Sequence, residues 1–432
     1  MDYISTRGRA PVSFRTALEQ GLAPDGGLYV PNLNPEDGWP TSGPGASLAD
    51  RLAPFVAPEI GLEAGRELVA ETLSFEVPLV PLEGDLHLLE LVHGPSAAFK
   101  DVGARFLARA LGASAGTPSD SPPRTVLVAT SGDTGGAVAA AFHGVPGVRV
   151  VVLFPAGGVT PLQRRQFTTL GANVAAVAVP GPFDACQALV KQALSDPELR
   201  ERYRLTSANS INIGRLLPQM LYYWHAVDQL RALGESRPPV FVVPSGNLGN
   251  VGAGMMAARS GIPGARFVAA LNRNDALARW LGGHEPDPQA PTHATPSSAM
   301  DVARPSNLER LRWLAGNDPA SLSDVLSACV IDDDETRAMI GEARERWGQV
   351  VCPHTAVGLR AAEQLRDEAG SGPRVVLATA HAAKFGDIVG PILGREPALP
   401  EALRARLEAP EEVAELPDLS LAAVRAALEA SA

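Results

Sequence analysis

Lysine is scarce in this chain. Of 37 basic residues only three are lysines, Lys100, Lys191 and Lys384, and the rest are arginine. Arginine stays protonated and forms no Schiff base, whereas a lysine amine can. A lysine kept against that background is a candidate for chemistry that arginine cannot perform. Nothing around Lys191 sets it apart, and chance accounts for it. Lys100 opens an amphipathic pattern in LLELVHGPSAAFKDVGARFLARAL, with Ala98 and Phe99 as an apolar wall and Asp101 after it. An amine at a helix N-terminus and partly withdrawn from water has a lowered pKa, which suits a nucleophile or a proton shuttle. The competing reading is an ordinary surface lysine at a helix start.

Three other segments carry chemistry. TVLVAT (125–130) runs into SGDTGGAVAAAF, PVFVVP (239–244) into SGNLGNVGAGMMAARSG, and RVVLATA (374–380) into HAAKFGD. The first two share a design: a strand, a Gly-rich polar turn, then a helix of small residues. Such a turn lets the backbone approach a ligand, and the helix start presents unpaired N–H groups and a positive dipole end. Gly246, Asn247, Leu248, Gly249 and Asn250 could wrap a phosphate with successive amides. Neither turn is GxxxxGK[ST] or GxGxxG, so nucleotide signatures fail. Taken alone, tight packing explains such a turn equally well. A lysine nucleophile together with a phosphate cup suggests pyridoxal phosphate, which needs a Schiff-base lysine, a phosphate site and a partner for its ring nitrogen. The Thr379 hydroxyl could be that partner; a helix cap or strand-end turn is the other reading.

These residues need a scaffold that brings strand ends together. The β-branched runs TVLVAT, VRVVVLFP (148–155), NVAAVAV (173–179), PVFVVP, ARFVAAL (265–271) and RVVLATA alternate with helical segments. Short continuous apolar runs between helices predict a buried parallel sheet, hence an α/β fold. In such sheets ligands bind beyond the carboxyl ends of the strands. LADRLAPFVAPEIG and LEAGRELVAETL read as helices, residues 34–48, 112–124 and 284–298 as loops, and the tail SLAAVRAALEASA as a docked helix. The chain has 432 residues, enough for two or three domains. Its net charge of −11 makes it a poor partner for nucleic acid. No window approaches the ~18 apolar residues of a membrane span. The N-terminus lacks the apolar core of a secretory signal. Cys186, Cys329 and Cys352 form no CxxC pair, and they lack His or acidic partners at metal spacing. A reducing cytoplasm is the expected compartment.

In this setting the motifs resemble those of the threonine synthase family, among the fold-type II pyridoxal-phosphate enzymes. YISTRG with DGGLYVP, HGPSAAFKD, SGDTG, NSINIGR, VPSGNLGN, SSAMDVARPSN, PHTAVG and TAHAAKF occur in the family's order over most of the chain. SGNLGN and HAAKF depart slightly from common forms, but a loop that uses backbone amides tolerates this. The resemblance implies a fold like the tryptophan synthase β subunit: two twisted, mostly parallel sheets flanked by helices, with an N-terminal extension. It implies an N-terminal region (1–85), a smaller α/β domain with the cofactor lysine and the SGDTG loop (86–225), and a larger one with the phosphate loop and C-terminal helix (226–432).

The resemblance also implies roles. Lys100 would carry the cofactor as a Schiff base. Gly246, Asn247, Leu248, Gly249 and Asn250 would hold its phosphate, Thr379 its ring nitrogen, and Asp133 would lie near its phenolic oxygen. Ser131 and Thr134 would meet the substrate carboxylate, and Asn209, Ser210 and Arg215 the substrate phosphate. Lys384 would add positive potential for that phosphate, or pin the helix it begins. His381 is read as a plain, satisfied histidine and His354 as a helix cap near the site. The implied reaction turns O-phospho-L-homoserine and water into L-threonine and phosphate. A phospho-lyase giving 2-oxobutanoate is the near rival, and a non-catalytic binding protein keeping the cofactor fold is the distant one. A small-molecule substrate, no membrane or nucleic-acid partner, and a monomer or homodimer complete the expectation.

Overall fold

A computed structural model describes all residues except 9, 34–37, 44, 115–121, 366–371, 407 and 432; the expected loops at 34–48 and 112–124 thus lie partly outside the described residues. Two sheets form the frame. The larger has six strands in the order Leu326–Val330, Arg266–Leu271, Val240–Pro244, Arg374–Ala378, Leu86–Glu90 and Leu79–Pro81. All its pairings are parallel except the last. The smaller has five parallel strands in the order Ala414–Glu415, Val174–Val179, Val148–Pro155, Arg124–Ala129 and Thr206–Ser207. An antiparallel pair, Tyr3–Ser5 with Tyr29–Pro31, forms a separate ribbon near the N-terminus.

The six apolar runs picked out by composition are strands within a residue or two of their expected bounds. They are apolar on both faces because helices cover both faces. One continuous core joins the sheets and includes Val102, Phe106 and Leu107 from the helix Lys100–Ser114 together with Val126, Val128, Phe241 and Val243. Separate clusters cover the outer face of each sheet. The tail helix Leu421–Ala430, capped by the Ser420 hydroxyl, buries Ala423, Val424 and Leu428 on the smaller sheet's side, beside Leu189 and Val190.

The expected boundaries at 85/86 and 225/226 do not follow the sheets. Leu86–Glu90 falls within 86–225, yet it pairs with Arg374–Ala378 in the larger sheet. Ala414–Glu415 falls within 226–432, yet it pairs with Val174–Val179 in the smaller one. Parallel pairing joins strands that are far apart in sequence, so contiguous blocks cannot mark the two units. The crossing has a consequence for function: Lys100 follows a strand of the larger sheet and opens a helix packed between the two. Among the described residues no helix is long and apolar enough to cross a membrane.

Candidate active site

Every residue expected to touch cofactor or substrate, except Lys384, lines one cavity between the two sheets. Lys100, Ser131, Asp133 and Thr134 enter from one side, Asn209, Ser210 and Arg215 from another, and Gly246 to Asn250 with Thr379 from the ends of the larger sheet's strands.

The lysine is placed by backbone. Phe99 N–H donates to Thr379 C=O at 2.9 Å and His381 N–H to Ala97 C=O at 3.0 Å. Ala97 sits at φ 53°, a left-handed turn that an alanine adopts at a cost. The Asp101 carboxylate accepts from Ser96 N–H at 2.9 Å, tying the turn to the helix it precedes. Burial raises Asp101 to about 6. These bonds lock the lysine turn to the strand exit that carries Thr379. The Lys100 ammonium lies 4.9 Å over the Phe99 ring and 3.8 Å from Asp133 Oδ2. Burial lowers the Lys100 pKa, opposed by Asp133 and reinforced by Lys384 and Arg215. Withdrawal from water thus shifts the amine toward its unprotonated, reactive form.

Asp133 sits at the start of the helix Asp133–Phe142, 3 % exposed. Its Oδ1 accepts from Lys384 Nζ at 2.5 Å and from Gln163 Nε2 at 2.8 Å, which leaves Oδ2 toward Lys100. Burial alone would raise this carboxyl, but the Lys384 and Lys100 ammoniums override it and hold Asp133 well below the usual carboxylate range. The turn before it is tight. Gly132 has φ 138°, and a Cβ there would lie 2.5 Å from the Gln163 amide. The expected substrate contact from Lys384 is therefore corrected. Its side chain is fully buried behind Asp133, and its ammonium is spent on that carboxylate and on Ser96 C=O at 2.9 Å.

Besides His354, two residues that line the cavity hold a buried donor without a protein partner. Arg215 is 3 % exposed; its guanidinium donates to Ala208 C=O, but Nε has no partner. Burial pushes its pKa down to about 10, and among the described residues it forms no ion pair. Asn250 Oδ1 accepts from both Tyr222 and Tyr223 hydroxyls at 2.6 Å, which fixes the amide and leaves Nδ2 unpartnered. Leu248, at φ 62°, turns the chain into the helix Gly249–Arg259, so that successive amides converge. An unpartnered buried donor costs about 1–3 kcal/mol, so these groups call for an acceptor. A phosphorylated aldehyde cofactor fits: an amine for the aldehyde, an amide nest and buried donors for phosphate, and the Thr379 side chain on the cavity wall for a ring nitrogen.

Other expected contacts are modified by geometry. Asn209 spends its amide on Ala129, accepting from its N–H at 3.1 Å and donating to its C=O at 2.8 Å, so it shapes the cavity wall. His381 caps the short helix Ala382–Phe385, its Nδ1 accepting from Ala383 N–H at 3.2 Å, as a satisfied histidine should. His354 is not the cap of its helix. Cys352 is, with its sulfur accepting from Thr355 N–H at 3.5 Å. His354 instead lines the cavity: Nε2 accepts from Ala299 N–H at 3.0 Å, and buried Nδ1 has no partner. Burial pushes its pKa down to about 3, so it is a neutral ring. The chain 298–307 also forms part of the wall through Ala299, Met300 and Val302. The motif SSAMDVARPSN carries no local sign of this wall-forming task in its sequence.

Arg215 depends on a glycine opposite. A Cβ at Gly103, on the lysine helix, would lie 2.5 Å from Arg215 C=O and 2.9 Å from its Nε. Gly103→Ala is expected to destabilise the protein by about 1–3 kcal/mol through overpacking. It should also raise KM for a phosphorylated substrate more than it lowers kcat. Thermal melting and steady-state kinetics on one preparation check both.

Comparison with known proteins adds an independent line. A model described as pyridoxal-phosphate dependent enzyme matches residues 76–380, one described as threonine synthase N terminus matches 2–38, and one described as threonine synthase, C-terminal, matches 355–428. The chain is 44 % identical over 407 residues to threonine synthase of Escherichia coli, covering 92 % of each. It is 36 % identical over 466 residues to that of Pseudomonas aeruginosa, covering 99 % of this chain and 97 % of the relative. The crystal structure of the Escherichia coli threonine synthase superposes with a TM-score of 0.90 at 40 % identity, covering all of both chains. A threonine synthase from Brucella melitensis solved with PLP bound gives 0.86 at 36 % identity, covering 100 % of this chain and 99 % of the other.

Proposed function

Since the chain belongs to the threonine synthase family of pyridoxal-phosphate-dependent enzymes, we propose that its cavity converts O-phospho-L-homoserine and water to L-threonine and phosphate, with Lys100 as the proton carrier. One observation carries the assignment of roles. A half-buried amine lies 3.8 Å from an ionised carboxylate, in a cavity where Arg215 Nε and Asn250 Nδ2 have no acceptor.

When bound, the cofactor supplies an aldehyde for covalent attachment and a ring that stabilises negative charge next to it. The chain does the rest. Lys100 Nζ, its unprotonated form favoured by withdrawal from water, takes a proton from the substrate carbon and returns it. Asp133 stays ionised beside it, so the ammonium formed on proton uptake has a counter-charge within 4 Å. Arg215 Nε and the Ser210 hydroxyl hold the phosphate of the substrate, and that anion satisfies a donor otherwise stranded in the protein. The amides around Leu248 and Asn250 Nδ2 hold the cofactor phosphate. Ser131 and Thr134, at the start of a helix, orient the substrate carboxylate. Thr379, a neutral group, meets the ring nitrogen without adding charge. Apolar Phe99, Phe183 and Met300 line the same cavity and limit water around the reacting carbons.

The reading makes a claim about bonds. Phosphate departs by cleavage of its bond to carbon, and the new hydroxyl comes from solvent. Reaction in ¹⁸O-labelled water should put the label in the threonine hydroxyl and none in the released phosphate. Labelled phosphate with homoserine would mean hydrolysis at phosphorus and would refute the proposal.

A further inference from the structure

Arg310 has no assigned role, and its surroundings are unusual. It is fully buried, at 0 % exposure, and among the described residues it forms no ion pair. Its guanidinium donates only to neutral oxygens: Tyr29 C=O at 3.1 Å, Ser210 C=O at 2.7 Å, Ile211 C=O at 2.6 Å and Asn307 Oδ1 at 2.6 Å. Glu309, next in sequence, turns outward to Arg7. A buried cation without a counter-ion is costly. Burial pushes the Arg310 pKa down to about 9, in keeping with that cost.

The bonds beyond Arg310 lead to the cavity. Asn307, also fully buried, accepts from Arg310, which fixes its amide orientation. Its Nδ2 donates to Ser210 Oγ at 2.9 Å and to Asn247 C=O at 3.0 Å. Asn247 Nδ2 donates to the same Ser210 Oγ at 2.8 Å. The hydroxyl oxygen has two lone pairs, and two amide donors fill them. Its own proton is therefore the group left over, and Ser210 lines the cavity. Hydrogen bonds in series polarise one another, so a cation behind the chain strengthens the donor at its end.

We propose that Arg310, acting through Asn307, is a positioning residue for a phosphate group in the cavity: it supplies buried positive charge behind the Ser210–Asn247 wall and turns the Ser210 hydroxyl into a donor. The inference rests on the reading that this cavity takes phosphorylated molecules. Two are available, cofactor and substrate, and the test separates them.

Asn307→Asp is the decisive variant. It is nearly isosteric, gives Arg310 a carboxylate partner, and removes the donor to Ser210. A merely structural role for the Arg310 network predicts a variant as stable as wild type or more so, with unchanged ligand preference. The proposal predicts the same stability but a loss, by about tenfold or more, of the preference for phosphorylated over unphosphorylated ligands. One arm compares pyridoxal phosphate with pyridoxal on the cofactor-free protein. The other compares O-phospho-L-homoserine with L-homoserine on the loaded enzyme. A fall in the first arm assigns the cofactor phosphate, and a fall in the second the substrate phosphate. An unchanged preference in both overturns the inference, and wild type with no such preference overturns the reading of the cavity as well. Arg310→Gln and Arg310→Lys give a second check: the neutral variant should lose the preference that the cationic one keeps, and equal preference in the two would also overturn it.

Discussion

Lys100→Ala should leave a folded protein that binds pyridoxal phosphate without covalent attachment and turns over at least about a thousandfold more slowly, the upper part of the range for losing a general acid–base group. The side chain reaches the cavity from a turn fixed by backbone bonds at Thr379, Ala97 and Ser96, none of which involves the amine. Removing it therefore costs chemistry and little architecture. Its partial withdrawal from water and its lowered pKa mean that the wild-type amine loads at neutral pH more readily than an exposed lysine would. Borohydride should fix the cofactor to wild type and fail to fix it to the variant. The phosphate donors remain in place, so non-covalent affinity for the cofactor should survive. A variant that still became labelled after borohydride would show that another amine does the work.

Lys384→Met is expected to be the most damaging single change to stability near the site, by about 3–5 kcal/mol, because it strands a buried carboxylate. Lys384 supplies the shortest contact to Asp133, and the remaining support is Gln163 and, at 3.8 Å, Lys100. In wild type the Asp133 pKa is depressed, so its contribution is present above the unfolded carboxylate value of about 3.9 and is lost as pH falls toward the depressed one. In the variant burial dominates and the folded pKa rises above the unfolded value. Its stability then falls as pH rises through that window. The gap in thermal midpoint between the two proteins should accordingly be widest near neutrality and close toward acid. Pairing the change with Asp133→Asn should restore much of the lost stability, since no buried charge is left alone. A constant gap across pH would contradict the account of the pair.

Such buried pairing is what a linear sequence conceals. Lys384 stands five residues after Thr379, and that proximity suggested a role on the cavity wall. Its partner is 251 positions away, and only the crossing of the two sheets brings Asp133 over it. Arg310 lies in LERLR, where charged residues are interspersed with leucines as on an ordinary amphipathic surface helix. Its burial comes from carbonyls at Tyr29, Ser210 and Ile211, which have no side-chain signature. His354 follows a proline at a helix start, a natural place for a cap, and nothing local reveals that the cysteine two residues earlier takes that task.

What was legible had local causes. Apolar β-branched runs located the principal strands, since a strand covered on both faces must be apolar throughout. Gly-rich exits at 131–136 and 245–250 marked the ligand end of those strands, because only there does the backbone need to come close. The scarcity of lysine pointed to Lys100. Strands without a β-branched run escaped: Leu86–Glu90 reads LHLLE, and Ala414–Glu415 has two residues that are exposed and lack an apolar signal. Those two strands also carry the chain between the sheets, so neither sheet is one contiguous block of sequence.

The central claim is that one cavity joins loss of phosphate to addition of water. The direct measurement is a balance of products from O-phospho-L-homoserine with the pyridoxal-phosphate-loaded enzyme, following L-threonine, 2-oxobutanoate and phosphate in the same reaction. The account predicts threonine and phosphate in equal amounts throughout the time course, with 2-oxobutanoate negligible. Phosphate matched by 2-oxobutanoate and ammonia, with little threonine, would contradict it.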